Sequence, residues 1–469
     1  MKPILFLSLF LLLSLSTTQC VTSSQNSSSH SAIEVETLSN GMDLIFHENH
    51  KVPLVTLVLA VKAGGFTETP ETDGLTHLWE HMFFKGNQQL PNQEAFNDRV
   101  RELGIIFNGD TSAEMVRYYF TLPSAYLEEA IAFMYHAIAT PLLEKEELSR
   151  EIKVVLDEYD RSASQPSFEL SGVRRSYIYR DKAHLRDPLG QRHIISATTR
   201  EQLLKMKDEV FVPQNSALLL SGDFDTNLAS KLITKYFSSW QSPKNWQAPA
   251  ENKFPDFPKG GEIIATHPQA STPQISYTFA GPKARSQAKD TYAIDVLISL
   301  LGLQTGKFHQ KYIESGLSNY AGLGYYTQSQ AGEIHLAATP HKDHFQKVRK
   351  MLLEEPKLWL EDGYFSEAQL QDVKRSLMIS HKYEINKPSE YIKTLAFWWT
   401  ITGLDYYRTY LAELQKVDMA EIHTVIRKYL IDKPYVSSML LAPKDAKSLG
   451  IKENLEQIRQ KINSKQQGA

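Results

Sequence analysis

The chain has one cysteine, Cys20, in 469 residues, so no disulfide can close within it. It lacks a surplus of either charge: 51 Lys and Arg stand against 54 Asp and Glu, a formal net charge of −3. There is no basic tract, which argues against nucleic acid as a partner. It also lacks a long apolar run. The stretch Ile4 to Leu13 is shorter than the roughly 20 residues a membrane-spanning helix needs. What remains, 42% apolar and 22% charged residues, is ordinary globular composition, enough for two or more domains with sizeable cores.

The apolar stretch follows Met1-Lys2 directly, as in a secretory signal, and the Ser-rich segment after it reads as a disordered lead-in. An exported, periplasmic protein is expected. Cys20 sits just past the apolar stretch and leaves two readings open. It is lipidated after cleavage in front of it, as in bacterial lipoproteins, or it is lost with the signal. Gln19 is bulkier than the small residue usual before a lipidated cysteine.

The most informative stretch is Gly74 to Lys85, which contains His77-Leu78-Trp79-Glu80-His81, an H-x-x-E-H pattern. Residues four apart share a helix face, so His77 and His81 can point at one metal ion, with Glu80 beside them. Two imidazoles and a neighbouring carboxylate are parts of a hydrolytic zinc site. The apolar flank Leu78, Trp79, Met82, Phe83 and Phe84 would keep such a site dry. The plainer alternative is an amphipathic helix whose polar residues are satisfied by neighbours. Further on, 145–160 reads as a helix with an Ile152, Val155, Leu156, Tyr159 stripe, and Glu151 and Glu158 lie on another face.

The order of elements is α+β. Val35 to His47 reads as two strands broken at Asn40-Gly41, and Pro53 to Val61 as a buried strand. Asp73 is placed to cap the two-histidine helix. Strands are expected near 104–108, 116–122 and 216–221. Pro243, Pro249, Pro255, Pro258 and Gly260-Gly261 mark 242–261 as a linker. Beyond it the same order returns, fainter in residues than in elements. Tyr292 to Leu303 stands where the two-histidine helix stood, without the ligand pair.

These stretches, with Phe107-Asn108-Gly109-Asp110-Thr111, Arg150 to Tyr159 and Phe211 to Ala217, make the sequence resemble the pitrilysin/insulinase family of zinc metallopeptidases from about Val35 to Pro443. The resemblance implies two similar α/β-sandwich halves, a duplicated metallopeptidase domain. The expected organisation is a signal peptide (1–20), a lead-in (21–33), a zinc-binding domain (34–241), the linker (242–261) and a second peptidase-like domain (262–469). It implies one zinc per chain held by His77, His81 and Glu158, the last 77 residues beyond His81. Glu80 would polarise the zinc-bound water and take its proton, making the chain a zinc endopeptidase acting on peptides or unfolded segments in an enclosed chamber. Glu151 would orient a ligand histidine. Asn108 and Gly109 match the family's edge-strand pair, which holds the substrate as an added strand; Gly109 departs from the usual Ala.

A second departure lies at Tyr312 to Asn319. Family members that cut carry an Arg and a Tyr there, around a Gly-Leu pair, to bind the scissile carbonyl. Here Tyr312 and Asn319 stand at those positions, with Tyr320 one residue off. The resemblance suggests that a related zinc-less chain supplies the missing pair in a heterodimer, a homodimer being the other arrangement. Two non-enzymatic readings stand beside the peptidase: a structural or assembly subunit, and a peptide-binding member that does not cut.

Overall fold

A computed structural model describes residues 33–466; the segment expected to be a signal peptide, nearly all of the expected lead-in and Cys20 lie outside them. The first half contains β1 (Glu34–Thr37), β2 (Asp43–Glu48), β3 (Leu54–Val61), α1 (Leu75–Phe83), α2 (Gln93–Leu103), β4 (Ile106–Thr111), β5 (Val116–Pro123), α3 (Leu127–Ala139), α4 (Lys145–Ala163), α5 (Phe168–Tyr179), α6 (Arg192–Ala197), α7 (Arg200–Val210), β6 (Ser216–Gly222) and α8 (Thr226–Phe237). The second half contains β7 (Gly261–Thr266), β8 (Gln274–Ala280), α9 (Ala288–Leu301), α10 (Lys307–His309), β9 (Ser318–Tyr326), β10 (Glu333–Pro340), α11 (Phe345–Leu358), α12 (Glu367–Ile385), α13 (Pro388–Ile401), α14 (Leu404–Lys416), α15 (Met419–Tyr429), β11 (Tyr435–Leu441), α16 (Pro443–Ser448) and α17 (Leu455–Gln466).

The strands make two sheets, ordered β1-β2-β6-β3-β5-β4 and β7-β11-β8-β10-β9. Apart from the added β1, the two orders are the same when each half is counted from its own first strand. In each sheet the first strand of the repeat pairs parallel with the last, β2 with β6 and β7 with β11, and the other pairs are antiparallel. The duplication faint in the residues is therefore plain in the topology. β4 and β9 are the matching edge strands.

Covering both faces of a sheet explains why β3 and β6 are nearly continuous apolar runs. One face of the first sheet, with Leu44, Phe46, Leu57 and Leu59, packs under α1, α3 and α8. The other face, with Ile45, Val58, Ala60, Ala217 and Leu219, is covered from the second half by Ile392, Leu395, Ala396 and Trp399 of α13. The second sheet receives the reciprocal cover. Its Ile263, Ala265, Val436 and Leu440 pack against Leu170 and Val173 of α5 and Leu455 of α17. Each half thus lends the helix that follows its own 19-residue helix (α4 or α12) to the other half's sheet. The Trp399 indole N–H also donates to Asp43 Oδ2 at 2.9 Å.

No helix among the described residues is long and apolar enough to cross a membrane. The segment between α8 and β7 has no regular element but is pinned: Trp246 Nε1 donates to Glu209 O at 2.8 Å and Asn252 Nδ2 to Phe66 O at 2.7 Å.

The exchange of helices makes one stability prediction. Leu395 is 0% exposed beneath the first sheet, so Leu395→Ala should destabilise the chain by about 2–5 kcal/mol through lost transfer energy and a cavity. The exposed Ile379→Ala should stay within about 0.5 kcal/mol. Urea unfolding followed by circular dichroism checks both; equal effects would show that α13 is not a structural bond between the halves.

Candidate metal centre

The site is built on α1, and α1 is fixed at both ends. Leu75, Leu78, Trp79, Met82 and Phe83 turn into the first core. The Phe83 ring stacks on Tyr118 with centroids 3.8 Å apart, and Trp79 packs on Phe211 at 5.3 Å. That leaves His77, Glu80 and His81 on the remaining face.

Asp73 does not cap the helix. The cap residue is Gly74, at φ +93°, with no side-chain cap bond. A side chain there would meet the Gly190 backbone at 2.9 Å, and Gly190, at φ +70°, approaches Gly74 as closely. Two glycines let the loops cross where L residues with a Cβ would not fit. The free amide groups are satisfied instead by Glu68. Its carboxylate accepts from Gly74 N at 3.0 Å, Thr76 N at 2.8 Å and Thr76 Oγ1 at 2.7 Å.

α4 lies alongside α1 and presents a column of acids. Glu147 accepts from Gly86 N at 3.1 Å and Gln93 N at 3.0 Å, holding the turn that leaves α1. One helical turn on, Glu151 meets His81 Nδ1 at 2.8 Å and Lys85 Nζ at 2.6 Å. Glu158 Oε2 lies 3.7 Å from His77 Nε2 and 3.5 Å from His81 Nε2, and the two Nε2 atoms are 3.3 Å apart. Three donor atoms therefore converge, and among the described residues this is the one group of three or more His, Cys, Asp or Glu able to hold a metal ion. Tetrahedral zinc with bonds of about 2.0–2.1 Å keeps its ligand atoms about 3.3–3.5 Å apart. The nitrogen and oxygen donor set and its spacing fit zinc.

The charges are arranged around that point. Burial pushes the His77 imidazole down to about 4, reinforced by His81, so it is held in the neutral form that binds metals. Burial opposes the His81 cation as well, but Glu151, Glu158 and Glu80 outweigh it and raise its pKa. For Glu151 burial works upward, and the bonds from His81 and Lys85 more than reverse it. Burial raises the Glu80 carboxyl, against the opposing bond from Thr111 Oγ1, which donates to Glu80 Oε2 at 2.6 Å.

The remaining residues singled out in the sequence sit on edge strands or elsewhere. Asn108 and Gly109 are on β4, which pairs only with β5; Gly109 N donates to the Asn108 side chain at 2.9 Å. Tyr312 is nowhere near solvent. It is 0% exposed, and its hydroxyl donates to the buried Glu355 at 2.8 Å, with Tyr364 at 2.6 Å and Lys311 at 2.5 Å on the same carboxylate. Asn319 and Tyr320 begin the edge strand β9, exposed to solvent. Sequence reasoning missed Glu68, Lys85, Thr111 and Glu147. Lys85 was findable, being one turn past His81 on the same face; the others depend on tertiary contacts with no spacing signal.

The family model described as insulinase (peptidase family M16) matches residues 44–190, and the M16 inactive domain model matches residues 197–377. An uncharacterized zinc protease of Rickettsia felis is 26% identical over 205 residues, 44% of this chain and 50% of that protein. The match spans about half the length of such curated relatives. Among solved structures, a protease from Helicobacter pylori superposes with a TM-score of 0.79 at 19% identity, covering 87% of this chain and 99% of the other. The first half of the periplasmic protease PqqL from Escherichia coli gives 0.73 at 17% identity, covering 92% and 96%. At these identities the superpositions speak to the fold.

The cap of α1 generates a pH prediction. Burial raises Glu68 to about 7 and Asp73 to about 8, the latter helped by Glu68 and Asp187. Both folded values lie above the unfolded ones near 4, so the folded state keeps protons that the unfolded state releases. The stability these groups give is complete below about pH 4 and is lost as pH rises through about 7 to 8. Asp73→Asn carries no charge to bury. It should gain stability relative to wild type between about pH 5 and pH 8.5 in urea unfolding; an equal pH slope in both proteins would remove Asp73 from this role.

Proposed function

Because the chain belongs to the insulinase family of peptidases, family M16, we propose that it is a zinc-dependent endopeptidase that cuts peptides or unfolded polypeptide segments. The observation that carries this reading is the convergence of His77, His81 and Glu158 with Glu80 beside them. In this reading those three residues hold the zinc. Zinc, when bound, lowers the pKa of a coordinated water toward neutrality and polarises the scissile carbonyl. Glu80 takes the proton of the attacking water and returns it to the leaving amine. Glu151 fixes the His81 ring through Nδ1, so that Nε2 is the free donor, and Lys85 keeps that carboxylate charged. The exposed edge of β4 takes the substrate as an added strand, in an enclosed chamber between halves.

The capture of Tyr312 by Glu355 supports a division of labour. Tyr312 has given its one hydroxyl proton to Glu355, and an Asn stands at position 319 where a Tyr hydroxyl would serve as donor to the carbonyl oxygen. A related zinc-less subunit bearing an Arg and a Tyr would supply those donors, which are worth about a hundredfold or more. The same observation favours the second reading, a subunit that binds peptide along β4 without cutting it. Export to the periplasm accords with the N-terminal signal pattern and with the fold shared with a protein titled a periplasmic protease. Lipid on Cys20 would show in the mass of the mature N-terminus; an unmodified terminus beyond Cys20 rules it out.

The test is a comparison of wild type with Glu80→Gln, measuring bound zinc by elemental analysis and cleavage of an unstructured fluorogenic peptide. Glu80→Gln should keep zinc and lose about 10²–10⁴-fold in turnover. Equal turnover would defeat the assignment, and peptide binding without cleavage in wild type, both alone and with the zinc-less subunit added, would select the second reading. For the division of labour, activity is titrated against the added zinc-less subunit. Full activity from the purified chain alone rejects the heterodimer.

A further inference from the structure

We infer that Thr111 is a positioning residue for the Glu80 carboxylate, and that strand β4, not the metal helix alone, sets where the base stands. The inference rests on the reading of Glu80 as general base.

Along a strand, alternate residues share a face. Phe107, Gly109 and Thr111 form the face of β4 that looks at α1. Phe107 packs on Phe84 with ring centroids 5.1 Å apart. Gly109 leaves the space that Glu80 fills: a Cβ there would lie 2.9 Å from Glu80 Oε1 and 3.0 Å from its Cγ. Thr111 Oγ1 then donates to Oε2 at 2.6 Å. The whole Glu80 side chain is thus laid along one strand and fastened by a single hydroxyl. That bond is short and made to a buried acid, where a charge-assisted contact is strongest.

An edge strand is paired on one side only, but this one is also anchored at its tip and through β5. At the tip of its hairpin, Glu114 accepts from Ser329 N at 2.9 Å and from the Ser329 hydroxyl, both in the second half. Arg117 on β5 bonds Asp110 of β4 at 2.7 Å and the Lys393 carbonyl of α13 at 2.9 Å. The seat of the base is therefore tied to the same helix that joins the halves. If an extended peptide pairs with the free edge of β4, the scissile bond and the carboxylate of the base are registered against one strand.

The experiment uses the full chain with Thr111→Val, which keeps shape and removes the hydroxyl, and Thr111→Ser, which keeps the hydroxyl. With zinc bound, Thr111→Val should retain stoichiometric zinc and a KM within about twofold of wild type, while kcat falls about tenfold or more. Thr111→Ser should stay within about threefold in kcat. In crystals of the metal-free proteins the Glu80 carboxylate should leave β4 in Thr111→Val and keep its place in Thr111→Ser. An unchanged kcat in Thr111→Val, a loss that Thr111→Ser fails to recover, or an unmoved carboxylate in Thr111→Val overturns the inference. The crystal comparison needs no turnover. A wild type without peptidase activity, alone and with the zinc-less subunit added, would thus defeat the functional reading, and the carboxylate position would still decide on Thr111.

Discussion

The contact between Glu151 and the pair His81 and Lys85 is the constraint on which the site depends. It joins two helices whose partners are 70 residues apart in the chain. Glu151 and Lys85 are each only 8% exposed at the side chain, so neither charge has water to fall back on. A buried pair of this kind adds little net stability, but removing one partner leaves an uncompensated charge that costs several kcal/mol. The outcome is a single permitted register between α1 and α4. In the permitted register Glu158, two helical turns further along α4, lies across from both Nε2 atoms. Glu147, one turn back, closes the turn after α1 with its two accepted amide bonds. Three acids on one helix face thus perform three tasks, and the middle one sets the register for the others.

Both the repeat and the crossing of the halves follow from the need to cover two faces of each sheet. The first half has helices for one face of its own sheet only, and the second half adds only α17 to the face that α5 covers. The uncovered face of the first sheet carries Ile45, Val58 and Leu219, each worth about 1.5–3 kcal/mol when fully buried. Lending α13 in one direction and α5 in the other solves the problem for both sheets at once. It also explains why a chain with no disulfide and an unstructured connector holds its halves together. The linker's composition marks where the repeat breaks, but the bond between halves is the exchanged helix pair.

How much of this was legible depended on the kind of signal. The duplicated α+β architecture could be read because apolar strands such as Leu54–Val61 and Ser216–Gly222 are strong local patterns. The positions of His77, His81 and Glu80 could be read because helix periodicity fixes which residues share a face. Strand β9 was not read: Ser318-Asn319-Tyr320-Ala321-Gly322-Leu323-Gly324 has small residues and two glycines, and only its pairing with β10 makes it a strand. The cap of α1 was misread because Asp73 is a good local capping residue, whereas Glu68 reaches the same amides from outside the helix. Thr111 carries no motif on its own. Its meaning arises when β4 folds under α1, which no spacing along the chain reports.

The asymmetry between the halves is the last consequence of the same physics. Equal strand order means that α9 and α12 occupy the places in the second half that α1 and α4 occupy in the first. The second half has a buried carboxylate too, Glu355, but it is surrounded by Tyr312, Tyr364 and Lys311 rather than by imidazoles. Three donors satisfy that acid fully, so it has no unmet valence to offer a metal or a substrate. In the first half Glu151 is satisfied in the same way, yet its partner His81 has a second ring nitrogen left over, aimed at Glu158 and His77. A histidine can be held by one nitrogen and work with the other, whereas a tyrosine hydroxyl that donates its one proton to a buried acid has none left to give. Glu355 sits on α11, the counterpart of α3 rather than of α4, and α9 carries no histidine, so the second half does not repeat the pairing of Glu151 with His81.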